Sequence, residues 1–173
     1  MRLQTLTDDL LTLARSDGSS LPIERAAVSV PELLERLRTR FEPRAAGEKR
    51  ELTIASAEPA SAQLDATRVE AALGNLIENA LRHGEGEISI SARSEGDLVA
   101  FEVSDGGEGF PPGFAGEAFE RFARAESGRT TSGYGLGLAI VKAVAKAHGG
   151  TVAIDPAASG ATVVLRIPSH SLG

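Results

Sequence analysis

Two stretches of alternating apolar residues, joined by a short polar turn, most constrain how this chain can fold. In residues 87–92 Ile88 and Ile90 alternate with serine, and residues 98–104 follow after the turn Ser94-Glu95-Gly96-Asp97. Period-two alternation across a glycine-containing turn predicts an antiparallel hairpin with one buried face. A hairpin here interrupts any regular strand–helix–strand alternation and so disfavours a doubly wound parallel sheet. The remaining elements fit around it. A strand around 26–30 leads into an amphipathic helix around 31–41, with Pro31 in its first turn. Residues 51–56 and 62–65 read as strands, and a helix runs from about 65 to 83. A last helix, about 138–148, stops at Gly149-Gly150, and residues 151–154 and 161–167 close the chain as strands around Gly160. This order predicts an α+β fold. Its form is a two-layer α/β sandwich, a mixed and mostly antiparallel sheet with three helices on one face.

Composition removes several kinds of chemistry. The 173 residues suit one domain of ordinary size with room for a short appendage. Eighteen basic residues against 24 acidic ones give a net charge of −6, a poor balance for a partner held by neutralising nucleic-acid phosphates. A small anion remains possible, because a glycine loop at a helix N-terminus binds phosphate whatever the net charge. Cysteine is absent, which removes disulfides, thiol catalysis and cysteine-held metal clusters. The three histidines are scattered, so a histidine-rich metal site is also disfavoured. The aliphatic run at 138–141 is far too short to span a bilayer, and the first residues hold no apolar signal core. A cytoplasmic chain is expected, without nucleic acid and without membrane contact of its own.

Leucines at 3, 6, 10 and 13 share one helical seam. Such a seam is either the tail of a helix whose partner lies elsewhere or a cap packed on its own domain. The breaker cluster from Ser16 to Pro22 then sets a boundary. Residues 1–18 are therefore read as a helix remnant with its linker, and residues 22–173 as the main domain.

Three clusters carry chemistry. On the long helix, Val69, Leu73, Leu76, Ile77 and Ala80 form one apolar stripe, and Asn75, Asn79 and Arg82 form a neighbouring one. Carboxamide oxygens at the edge of a buried face suit a Mg²⁺ ion that keeps waters and substrate phosphates; they equally suit a solvated face. Asp105-Gly106-Gly107-Glu108-Gly109 follows a strand. It offers a carboxylate to an exocyclic amine, with glycines that admit a flat ring, or else it is simply a turn. Gly133-Tyr134-Gly135-Leu136-Gly137-Leu138 runs straight into a helix, where backbone N–H groups and the helix dipole favour a phosphate. A hinge before a helix has the same composition. Neither the Rossmann spacing nor the Walker pattern is met.

In this order, and with Phe119-Glu120-Arg121-Phe122-Ala123-Arg124 between the last two, the clusters resemble the catalytic ATP-binding domain of two-component sensor histidine kinases. That domain belongs with gyrase, the Hsp90 chaperone and MutL. The resemblance covers about residues 22–168: residues 75–83 match the N box, 105–111 the G1 box, 119–124 the F box and 133–138 the G2 box. It implies ATP and Mg²⁺ as cofactors. Asn79 would be the Mg²⁺ ligand, Asp105 the adenine acceptor, and Gly107 and Gly109 the border of the base. Gly133, Gly135, Leu136, Gly137 and Leu138 would form the phosphate loop within a glycine-rich ATP lid. Asn75 and Arg82 would support the phosphate end, Arg121 or Arg124 would reach the γ-phosphate, and Phe119 and Phe122 would anchor the lid by packing. Tyr134 stands where the family usually has threonine or serine, and Glu108 where a small residue or proline is common.

The ATP-hydrolysing relatives carry a water-activating glutamate one turn before the metal asparagine. Here that place is Asn75, and an amide cannot act as a general base. The resemblance therefore implies a protein histidine kinase, a phosphotransferase acting on a histidine of a separate dimerisation domain. Its partners would be that domain and a response regulator, and the full-length protein would be a homodimeric, membrane-anchored sensor. Residues 1–18 resemble the end of the second helix of the dimerisation domain. His83, His148 and His170 all lie outside a phosphoacceptor context, so the chain is expected to lack the phosphoacceptor histidine. Two other readings share the fold: a serine kinase of the anti-sigma-factor type, which residues 1–18 count against, and a non-enzymatic nucleotide-binding signalling module.

Overall fold

The computed structural model describes residues 21–111, 113–123, 135–155 and 160–169. The expectations for residues 1–20 lie outside them. The elements are β1 (Ala26–Ser29), α1 (Val30–Gly47), β2 (Leu52–Ala57), β3 (Ser61–Leu64) and α2 (Ala66–His83), followed by β4 (Ile88–Glu95), β5 (Leu98–Asp105), α3 (Gly137–Ala147), β6 (Thr151–Ile154) and β7 (Thr162–Pro168). A five-stranded sheet has the order β2-β4-β5-β7-β6, and β1 and β3 pair separately. All pairings are antiparallel except β2 with β4. This is the expected mixed, mostly antiparallel sheet with helices packed on it.

The hairpin runs in register from Ile88 opposite Asp105 to Glu95 opposite Leu98, so only Gly96 and Asp97 form the turn. Its inward side chains, Ile88, Ile90, Val99, Phe101 and Val103, are buried together with Val163, Leu165 and Ile167 of β7. On the outward face Arg93 pairs with Glu95 at 2.9 Å and Glu102 at 2.8 Å, and Arg166 pairs with Glu95 at 2.7 Å. Ala100 lies in register between Arg93 and Arg166 and is fully covered.

Helix α1 extends past the expected end at residue 41, because Ala45 lies one turn beyond Phe41 on the same buried stripe. It closes in a Schellman arrangement: Lys49 N–H donates to Ala46 O at 3.0 Å and Arg50 N–H to Ala45 O at 2.9 Å. Helix α2 is capped by Asp65, whose Oδ1 accepts from Arg68 N–H at 3.0 Å. The whole expected apolar stripe of α2 is buried. Among the described residues no helix is long and apolar enough to cross a membrane.

At the other end of the fold His148 joins α3 to α2. It is fully buried. Its Nδ1 lies 2.9 Å from Val144 O, and its Nε2 accepts from Asp65 N–H at 3.1 Å. The ring is therefore neutral, with its proton on Nδ1. Burial holds its pKa below the ordinary histidine value, against the raising effects of the Val144 carbonyl and Asp65; nearby Arg25 adds to the lowering. The unfolded chain thus binds this proton more readily than the folded one. The stabilising contribution is complete above about pH 6.5 and is lost as pH falls toward the lowered folded-state value. Urea denaturation is expected to show stability falling between about pH 7.5 and about pH 5.5. His148→Leu should make that fall shallower and lower stability at the upper pH, where Asp65 N–H loses its acceptor.

Candidate functional site

The site is built along α2. Asn75 and Asn79 are half-buried beside the apolar stripe, and Arg82 is exposed. Glu78, next to Asn79, is held by Arg44 of α1 at 2.6 Å, with Arg82 at 3.8 Å. The N-terminus of α3 meets this helix at Asn75: a Cβ added to Gly137 would stand 3.4 Å from Asn75 Oδ1. Leu136 is buried and Leu138 packs against the core. Among the described residues no side chain caps the N-terminus of α3, which begins beside Asn75; N–H groups at such a helix end can bind an anion.

At the other end of α2, Asp105 finishes β5 with 8% exposure. Its N–H donates to Ala161 O at 3.0 Å, and its Oδ1 accepts from Gly107 N–H at 2.9 Å. Among the described residues Oδ2 is left for a further donor. Gly84, which follows α2, touches this carboxyl group so closely that a Cβ there would lie 2.2 Å from Cγ. Gly84 has extended backbone, with φ −89° and ψ 174°, so glycine is demanded by contact rather than by conformation. From Asn75 to Gly84 is about 13 Å of helix at 1.5 Å per residue. One helix thus touches both the N-terminus of α3, at Asn75, and, through Gly84 just past its end, the Asp105 carboxyl group.

The segment between the two ends is fastened to α3. Lys142 of α3 pairs with Glu120 at 2.7 Å, and Phe122 N–H donates to Gly135 O at 2.9 Å. Gly135 has φ +67°, and a Cβ there would come within 2.8 Å of Ala123 O. Phe119 packs against the core as expected. Phe122 does not: it is 64% exposed. Its φ of +62° and its backbone bond to Gly135 turn the ring outward. Arg121 is exposed on the same segment, whereas Arg124, Gly133 and Tyr134 lie outside the described residues. Gly107 borders Asp105, and a Cβ at Gly109 would lie 2.8 Å from Gly160 O.

Of the histidines, His148 has both ring nitrogens engaged and is a structural residue. His83 is exposed at the end of α2, and His170 lies outside the described residues. Among the described residues no three histidine or acidic side chains group to hold a metal. One amide oxygen completed by phosphates and waters fits Mg²⁺, which seldom needs an all-protein cage. The sequence did not single out Gly84, Arg44 or Arg50. No motif marks them, since each matters through a partner far along the chain.

Residues 64–171 match the family model for the histidine kinase-, DNA gyrase B- and HSP90-like ATPases, and the chain belongs to that family. It is 37% identical over 158 residues to the alginate biosynthesis sensor protein KinB of Pseudomonas aeruginosa, covering 88% of this chain and 26% of that protein. The chain thus spans about a quarter of that relative's length. Full-length ShkA in complex with AMPPNP superposes with a TM-score of 0.84 at 26% identity, over 98% of this chain and 37% of that one. The histidine kinase ThkA, solved in complex with the response regulator TrrA, shares the fold with a TM-score of 0.76 at 19% identity, over 98% and 48% of the two chains.

The Asp105 carboxylate cannot keep its place beside a Cβ at position 84. Gly84→Ala is expected to weaken ATP binding about tenfold or more, the equivalent of about 1.4 kcal/mol. Calorimetry against ATP measures this, and circular dichroism should show the fold retained.

Proposed function

We propose that this chain is the ATP-binding catalytic domain of a two-component sensor histidine kinase, moving the ATP γ-phosphoryl group to a histidine on a dimerisation domain outside residues 22–173. The observation that carries this reading is the Asn75 amide beside the N-terminus of α3. The residue of α2 against the helix end read as the phosphate site is an amide, and Glu78 is paired with Arg44. An amide takes no proton from water, so the arrangement favours transfer to an incoming nucleophile over hydrolysis.

Asp105 Oδ2 accepts from the adenine amino group, and the glycines at 107 and 109 admit the ring. The helix end at Gly135–Leu138, with Gly133, binds phosphates, assisted by Asn75 and Arg82. Arg121 or Arg124 neutralises charge on the transferred group. Asn79 would hold Mg²⁺, which would supply charge neutralisation to the nucleotide phosphates. Catalysis rests on positioning and electrostatics. The partners are the phosphoacceptor domain and a response regulator, the kind of partner ThkA binds. The full-length protein is a membrane-anchored homodimer.

The test is incubation with labelled ATP, Mg²⁺ and a separately produced phosphoacceptor domain. An acid-labile, base-stable product supports the reading; an acid-stable phosphoserine assigns a serine kinase, and no transfer leaves a binding module. Asn79→Ala is expected to lower transfer about a hundredfold or more, the scale at which one transition-state stabilising group acts. Its fold should persist, because Asn79 lies off the buried stripe. Transfer at the parent rate would remove the metal role from Asn79.

A further inference from the structure

The loop between α2 and β4 is short, carries glycines at 84 and 86, and lies against the base end of the site. One side chain from a remote part of the chain fastens it. Arg50 Nε donates to Gly86 O at 2.6 Å, Nη2 to Glu85 O at 3.0 Å, and Nη1 to Gly84 O at 3.1 Å. Nη1 also donates to Ala80 O at 2.7 Å, within the last turn of α2. Every bond goes to a backbone carbonyl, and the cation sits at a helix C-terminus, where the dipole favours it. The backbone of Arg50 is itself fixed, since its N–H closes α1 on Ala45 O at 2.9 Å.

The fastened loop is the wall behind Asp105. Glu85 O accepts from Gly106 N–H at 2.8 Å, the Gly84 Cα abuts the carboxyl group, and a Cβ at Gly107 would lie 3.1 Å from Glu85 N. We propose that Arg50 is a positioning residue for nucleotide-base recognition: its guanidinium fork locks loop 84–86 and thereby fixes the orientation of the Asp105 carboxylate. The proposal rests on the reading of Asp105 as the adenine acceptor. A lysine ammonium lacks the planar fork and cannot span carbonyls spread along the loop and the helix end.

The readout is the ratio of ATP to GTP affinity by calorimetry. A structural loss lowers the folded fraction equally for both nucleotides and leaves this ratio unmoved. The parent should prefer ATP about tenfold or more, since guanine presents a carbonyl to an acceptor. Asp105→Asn should bring the ratio close to unity, and failure there, or no preference in the parent, overturns the Asp105 reading itself. Given that collapse, Arg50→Met is expected to cut the preference to about a third or less of the parent's, because a carboxylate out of place by a fraction of an ångström loses its selectivity. A parental ratio in Arg50→Met overturns the proposal and leaves the Asp105 reading intact. If Arg50→Met does not fold, Arg50→Lys decides: a lowered preference supports the fork, and a parental one overturns it.

Discussion

The antiparallel register of α3 on α2 is the constraint on which the site depends. At one end His148, just past α3, accepts from the backbone N–H of Asp65, just before α2. At the other, Gly137 opens α3 against the Asn75 amide. The paired spans are 11 residues on one helix and 10 on the other, so the helices travel together with no offset to absorb. An α3 displaced by one residue would move about 1.5 Å along α2. That shift would break the buried imidazole bond and carry the N–H groups of the proposed phosphate site past Asn75. A buried neutral histidine is an effective pin because both its nitrogens are committed and neither is solvated.

A second constraint holds the base end. Asp105 is the last residue of a central strand, with β4 on one side and β7 on the other. Its carbonyl lies so close to Gly160 that a Cβ there would come within 2.0 Å. The proposed acceptor is therefore part of the sheet, whereas the proposed anion site belongs to α3. Loop 84–86, which joins α2 to β4, lies against Asp105 and is held by the Arg50 guanidinium. This follows a general rule for precise sites: they sit on regular elements and are held by buried or charge-assisted hydrogen bonds behind the contacting group.

Much of this was legible in the sequence, because periodicity reports burial directly. The stripe from Val69 to Ala80, the hairpin and the three chemical clusters all follow from spacing that one element can explain. Contacts between elements were not legible. That β2 lies parallel beside β4 cannot be read from strands adjacent in sequence, since β3 leaves to pair with β1. The sequence pattern ends α1 near residue 41, but the burial of Ala45 and the Arg44–Glu78 pair carry the helix on. The family resemblance implies that Phe122 anchors the lid by packing. Its left-handed backbone, set by the bond to Gly135, sends the ring outward instead. Arg50 and His148 look like ordinary helix-end residues until their partners, more than thirty positions away in sequence, are known.

The absence of a carboxylate at position 75 bears on which nucleophile the proposed reaction can use. Water and a serine hydroxyl must lose a proton as they attack phosphorus, and so need a base within hydrogen-bond reach. A neutral imidazole attacks through a nitrogen lone pair: the N–P bond forms as the P–O bond to the leaving nucleotide breaks, and the proton leaves later from the other ring nitrogen. On α2 the residue shown against the N-terminus of α3 is the amide of Asn75, and the Glu78 carboxylate further along the helix is paired with Arg44. Such a site imposes a barrier on acceptors that must be deprotonated and none on an imidazole. In the proposed reaction, acceptor choice would then be set partly by proton demand, through the amide at Asn75.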